Sequence, residues 1–230
     1  MSTVRITRPE DFEAAFGSFG ARVASRAGPN KRTQDEKEWF VLRRFMACTL
    51  GTGILGFPVV FEKVQPPRPD FAAKYGQEDK LALIEITEAT HPDDQREMTE
   101  FVKGAKTAAL LGEFGGRFAE GASQPKLAWA ADILDAITRK QQKSICSTLT
   151  GERHLIVYPN SNASMLLFDE ADEREAFAHL RASICEIESG YAQALNGCKV
   201  HVLGKELLCI DLFGVFHLIR REIAQFERTV

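Results

Sequence analysis

The stretch LALIEIT, residues 81–87, constrains what this chain can fold into more than any other. Its Leu and Ile content, directly after the turn-like YGQED at 75–79, predicts a buried strand over residues 81–88. Side chains alternate along a strand. Leu81, Leu83, Glu85 and Thr87 therefore share one face, and Ala82, Ile84 and Ile86 the other. A carboxylate in the middle of such a strand is costly unless it is paired or holds a cation. Asp70 opens the preceding extended run, residues 69–74, and a reversal around Gly76 brings it beside Glu85. Two readings follow. One is a salt-bridged or hydrogen-bonded glutamate near a strand edge. The other is a pair of carboxylates converging on a hard cation such as Mg²⁺, which takes one or two carboxylates plus several waters.

The rest of the chain reads α, β-meander, α, β, α, β-hairpin, α. That order describes an α/β protein with a mixed central sheet flanked by helices. PEDFEAAFGSFGARVASR (9–26) predicts a helix, so residues 1–30 are expected to be an N-terminal helical extension and 31–230 a single domain. A second helix starts at about Thr33 and ends at Gly51, Gly53 and Gly56. Residues 57–63 form the first extended piece of the meander. Further helices are expected at the start of 93–116, over 126–149 and over 172–188. HLIVY (154–158) is a short buried strand, 199–203 and 206–212 a hairpin, and 215–228 a closing helix.

At 230 residues, 44% hydrophobic and 27% charged, the chain can bury a sizeable core as one large domain. Five scattered cysteines with no C-x-x-C argue for reduced thiols, against a disulfide frame or a zinc site. The N-terminus lacks the apolar stretch of a signal peptide. The most apolar segment, 46–61, holds three glycines and a proline and falls short of the roughly 20 residues of a membrane helix. A cytoplasmic protein with no membrane partner is the expectation, and nothing excludes a homo-oligomer. The net charge of -3 does not by itself suggest nucleic acid. Residues 1–44, however, carry nine basic and six acidic side chains, a local +3 that leaves -6 for the remainder and permits a phosphate-facing patch.

Several familiar chemistries are excluded. GTGILG (51–56) fits G-x-G-x-x-G, but a helix precedes it and Pro58-Val-Val follows, so no phosphate would meet a helix N-terminus. Neither G-x-S-x-G nor H-E-x-x-H occurs, and the five histidines lack metal-ligand spacing. His154 and His201 read as ordinary packed imidazoles.

Pro69-Asp70, fourteen residues, then Glu85-Ile86-Thr87 in an apolar strand resembles the motif of the PD-(D/E)XK (restriction-endonuclease-like) nuclease superfamily. The order helix, three-stranded meander, helix, strand from Thr33 to Tyr158 is similar to that superfamily's α-βββ-α-β core and covers about half the chain. The resemblance implies a Mg²⁺-dependent nuclease, with Mn²⁺ as a substitute, acting on nucleic acid, DNA before RNA. It implies Asp70 and Glu85 as metal ligands, the Ile86 carbonyl as a further one, and Glu38, with Glu36 the weaker choice, as a third carboxylate. The family's lysine falls at Thr87, which can position a water but carries no charge for the phosphoryl oxygens.

Some members of the superfamily supply that lysine from the following helix. In helix 126–149, at 100° per residue, Gln141 lies inside the apolar face of Ala130, Ile133, Leu134 and Ile137. Lys140 lies at its margin, and Lys143 points away. Lys140 thus becomes the candidate charge, and Gln141 or Thr87 the group that orients the nucleophile; a snorkelling Lys140 is the alternative. Arg43, Arg44, Arg139, Lys143 and Arg153 are candidate phosphate contacts, or simply a solvated charged surface. The rival to an enzyme is a nuclease-fold module with a decayed site that binds nucleic acid or a protein.

Overall fold

The computed structural model describes residues 3–17, 33–50, 52–65, 69–90, 125–142, 150–159, 170–186, 198–204, 207–210 and 216–219. Among the described residues eight strands form one mixed sheet in sequence order: β1 (Thr3–Ile6), β2 (Val59–Lys63), β3 (Phe71–Tyr75), β4 (Lys80–Ala89), β5 (Glu152–Pro159), β6 (Cys198–Leu203), β7 (Leu207–Ile210) and β8 (Phe216–Ile219). β1 to β4 run antiparallel to one another. β5 is parallel to β4 and β6 to β5, while β6, β7 and β8 are again antiparallel. The two parallel steps need crossovers, and α2 (Pro125–Gln142) and α3 (Glu170–Glu186) lie in those connections.

α1 (Gln34–Thr49) starts where the sequence supplies a reciprocal cap. The Glu36 amide donates to Thr33 Oγ1 at 3.3 Å, and the Thr33 amide donates to Glu36 Oε2 at 2.8 Å. Its apolar stripe of Trp39, Leu42, Phe45 and Met46 is buried against one sheet face, together with Val4, Ile6, Phe12, Phe61, Phe71, Ile84 and Ile156. Trp39 meets Phe71 edge-on at 4.6 Å between centroids. On the opposite face Trp129, Ile133 and Ile137 of α2, with Phe177 and Leu180 of α3, cover Leu155, Val157, Val200 and Val202. β3 and β4 are joined by a tight turn in which Gly76, at φ +73°, takes a left-handed conformation that costs glycine little.

The meander, both crossover helices and the β6–β7 hairpin match the sequence expectations over the described residues; 143–149 of the first helix and 187–188 of the second lie outside them. The two ends do not. β1 pairs with β2, and Val4 and Ile6 enter the same core as Phe12 and Phe16, so the first residues are an edge of the sheet and not a helical extension. A helical segment does occupy 12–17; the remainder of the expected helix lies outside the described residues. Four residues are too few for a period-two signal to stand out from the acidic, helix-like stretch behind them. At the other end, the segment expected to begin a closing helix forms β8 against β7. VFHLI is a short apolar run whose periodicity does not separate strand from helix. The expected helix within 93–116 lies outside the described residues.

Candidate functional site

Asp70 and Glu85 meet where β3 begins. Phe71 stands opposite Ile84, so one step further the antiparallel register sets Asp70 opposite Glu85. The Ile86 amide donates to Asp70 Oδ2 at 2.8 Å and ties the aspartate to the middle of β4. Glu85 projects from the β4 face that α2 covers, with Leu155 beside it on β5. Its side chain is 15% exposed. Burial raises its pKa above the usual carboxylate range, the Asp70 charge raises it further, and Lys140 together with the Asp70 amide opposes the rise. The two carboxylates thus feel each other's charge in a partly dehydrated setting.

Lys140, in the last turn of α2, reaches this pair. Its Nζ donates to Glu85 Oε1. The helix phase expected from the apolar stripe is the phase observed: Ile133, Ala136 and Ile137 are buried, Asp135, Thr138 and Arg139 face solvent, and Lys140 lies between. Thr87 follows Glu85 by two residues on the same face and is half-buried. Gln141 belongs to the same helix turn, but its side chain and all of Lys143 lie outside the described residues.

A second lysine completes the cluster, and the sequence reading missed it. Lys63 ends β2 on the α1 face, in the alternation Val59, Phe61, Lys63. Its Nζ donates to Glu38 Oε2, stands 3.9 Å from Asp70 Oδ1, and lies 4.6 Å from the centre of the Phe71 ring. Gln34 fixes the other Glu38 oxygen at 2.7 Å. Burial lowers the Lys63 pKa, while Asp70, Asp35 and Glu85 raise it. The available signal was a charge standing where the strand's period calls for an apolar residue. Asp70 is therefore the common member of the cluster: it shares an ammonium with Glu38 on one face and a charge interaction with Glu85 on the other.

The donor set at Asp70 and Glu85 is all oxygen and its two charges repel, which fits a hard divalent cation. Among the described residues no three His, Cys, Asp or Glu side chains gather closely enough to hold a metal ion. An ion at the two carboxylates would draw its other ligands from backbone and water. Comparison with protein-family models, curated proteins and solved structures finds no match for this chain. The site's meaning rests on its own geometry.

Three of the expected phosphate contacts are engaged within the chain, and Lys143 lies outside the described residues. Arg43 pairs with Glu13 at 3.2 Å and covers the Phe12 ring, and Arg44 donates to the Gly204 carbonyl at 3.3 Å. Arg139 pairs with Asp135 one turn earlier at 2.8 Å on an exposed helix surface. Among the described residues no helix is long and apolar enough to cross a membrane.

A second polar cluster lies on the α1 face near the start of β5. Glu152 accepts from Tyr75 Oη at 2.6 Å and from Lys199 Nζ. Next along β5, His154 shares a 2.9 Å hydrogen bond between its Nδ1 and His201 Nε2, the rings stacked within 8° of parallel. Burial pushes His154 down to about 4 and His201 well below its usual value, so both imidazoles are neutral. His154 Nε2 faces Glu152 Oε1 at 3.4 Å.

Proposed function

We propose that this chain is a Mg²⁺-dependent phosphodiesterase acting on nucleic acid, built on a restriction-endonuclease-like α-βββ-α-β core. The observation that carries the reading is Lys140: a lysine from the helix after the meander reaches the carboxylate of Glu85, which itself senses Asp70. α1, the antiparallel β2–β3–β4, α2 and the parallel β5 have the order and pairing that such a core needs. Fold analogy is a weak warrant for a reaction, so the weight falls on the site.

In this reading Asp70 and Glu85 hold the metal, with the Ile86 carbonyl as a further ligand. Glu38, implied as a third carboxylate, is occupied by Lys63 and Gln34. The chemistry a bound Mg²⁺ supplies is polarisation of the phosphate and acidification of a water. Lys140 carries positive charge at the Glu85 side of the site, where it would offset charge on the phosphoryl oxygens. Thr87, with no charge, serves to orient a water from the same face, and Gln141 is one residue beyond Lys140 on α2.

One observation favours the rival, a nuclease-fold module without activity. Glu85 and Glu38 each already hold an ammonium, so the carboxylates are neutralised without a metal. Incubation with plasmid, single-stranded DNA and RNA, each with Mg²⁺ and with Mn²⁺, separates the two. Cleavage that is lost in Glu85→Ala supports the enzyme. Retention of nucleic acid without cleavage under every condition supports the module.

A further inference from the structure

We infer that Lys63 is the site's own counter-cation, an ammonium seated among the carboxylates that a divalent ion must displace from Asp70 before it can bind. The inference rests on the metal reading above and adds its regulation.

The geometry is unusual for a lysine. Lys63 is 9% exposed, whereas lysine heads ordinarily reach water while only their stems are covered. An ammonium withdrawn this far needs compensation. It has Glu38 in direct contact, Asp70 at 3.9 Å and the Phe71 ring beneath it. Glu38 is itself held by Gln34, which leaves the Lys63 head anchored at the Glu38 end. The weaker 3.9 Å approach to Asp70 is the side that can open. Movement of the head away from Asp70 frees Oδ1 while Oδ2 stays fixed by the Ile86 amide.

Charge sets the direction. Glu38, Asp70, Asp35 and Glu85 carry four negative charges against two positive ones on Lys63 and Lys140. Lys63 and Lys140 therefore offset half of that negative charge before any metal arrives, and a divalent ion would bring the cluster to balance. Even at the screening of bulk water, a unit charge a few ångströms from a divalent ion alters affinity by about 10- to 100-fold. Lys63 keeps the affinity low and the metal-free protein folded.

Titration calorimetry with Mn²⁺ on wild type, Lys63→Met, Lys63→Arg and Asp70→Ala, together with thermal unfolding with and without Mn²⁺, tests this. Lys63→Met should bind Mn²⁺ about 10- to 100-fold more tightly than wild type, unfold at a lower temperature without metal, and regain stability with it. Lys63→Arg, which keeps the charge, should bind no more tightly than wild type. Should Lys63→Met not fold, Lys63→Gln keeps a donor for Glu38 and removes the charge, and the same gain is expected. If wild type binds Mn²⁺ through Asp70 and the neutral variants bind it no better, the counter-cation is wrong and the metal site stands. If neither wild type nor the neutral variants bind, the metal reading falls and takes this inference with it. Binding by the neutral variants alone is the strongest support.

Discussion

Lys140 and Glu85 lie 55 positions apart in the chain and in direct contact across the α2–sheet interface. One comes from a helix margin and the other from the middle of an apolar strand, and each supplies the counter-charge the other needs where water is scarce. If Lys140 acts on the phosphoryl group, Lys140→Ala should lower nuclease activity by about 100- to 1,000-fold, the usual cost of losing one preorganised charge. Lys143→Ala should cost far less. Far-ultraviolet circular dichroism and the urea midpoint check that folding survives. Equal losses from the two substitutions would remove Lys140 from the reaction.

Asp70 joins both halves of the cluster, so its substitution should have the widest effect on the site. Asp70→Ala is expected to abolish Mn²⁺ binding measured by calorimetry and to leave the Ile86 amide without its partner, a loss of about 1–3 kcal/mol in stability. Mn²⁺ binding that persists unchanged in this variant would move the metal elsewhere.

Phe71 supports the site from beneath, with Trp39 on its edge and the Lys63 head over its ring. Phe71→Ala should cost about 3–5 kcal/mol, the range for emptying a large aromatic from a core. Denaturant unfolding measures it. Phe71→Leu, which keeps most of the volume, should recover much of that loss but not the contact with the ammonium.

The His154–His201 pair makes stability depend on pH. An unfolded chain binds a proton on His154 below about 6.5, whereas the folded chain stays neutral down to about 4. The unfolded state therefore takes up more protons across that window, and stability is highest above pH 6.5, falls as pH drops towards 4, and levels off below. His154 alone accounts for about 3 kcal/mol over the interval. Glu152 at 3.4 Å does not reverse the sign, because Lys199 already neutralises that carboxylate. Urea unfolding at pH 7.5, 6 and 5 should show a shallower decline for His154→Gln, whose amide stays uncharged. Parallel curves for the two proteins would mean that the pair does not titrate on unfolding.

Local pattern alone determined much of this protein. The capping box at Thr33, the turn at Gly76, the alternation of β4 and the stripe of α2 are each written within a dozen residues, because backbone geometry repeats over that distance. That is why Asp70, Glu85 and even the margin position of Lys140 were legible. Tertiary structure decided the rest. Lys63 reads as an ordinary charged strand end until Glu38 from α1 and Asp70 from β3 close around it. His154 and His201 read as two separate core residues until the parallel β5–β6 register sets His201 opposite Ile156, one same-face position from His154. β1 and β8 were misread because a four-residue strand gains its identity from its partner, not from its own sequence. Charges and strand edges are stabilised by what lies across space from them, and neighbours in sequence carry no record of that.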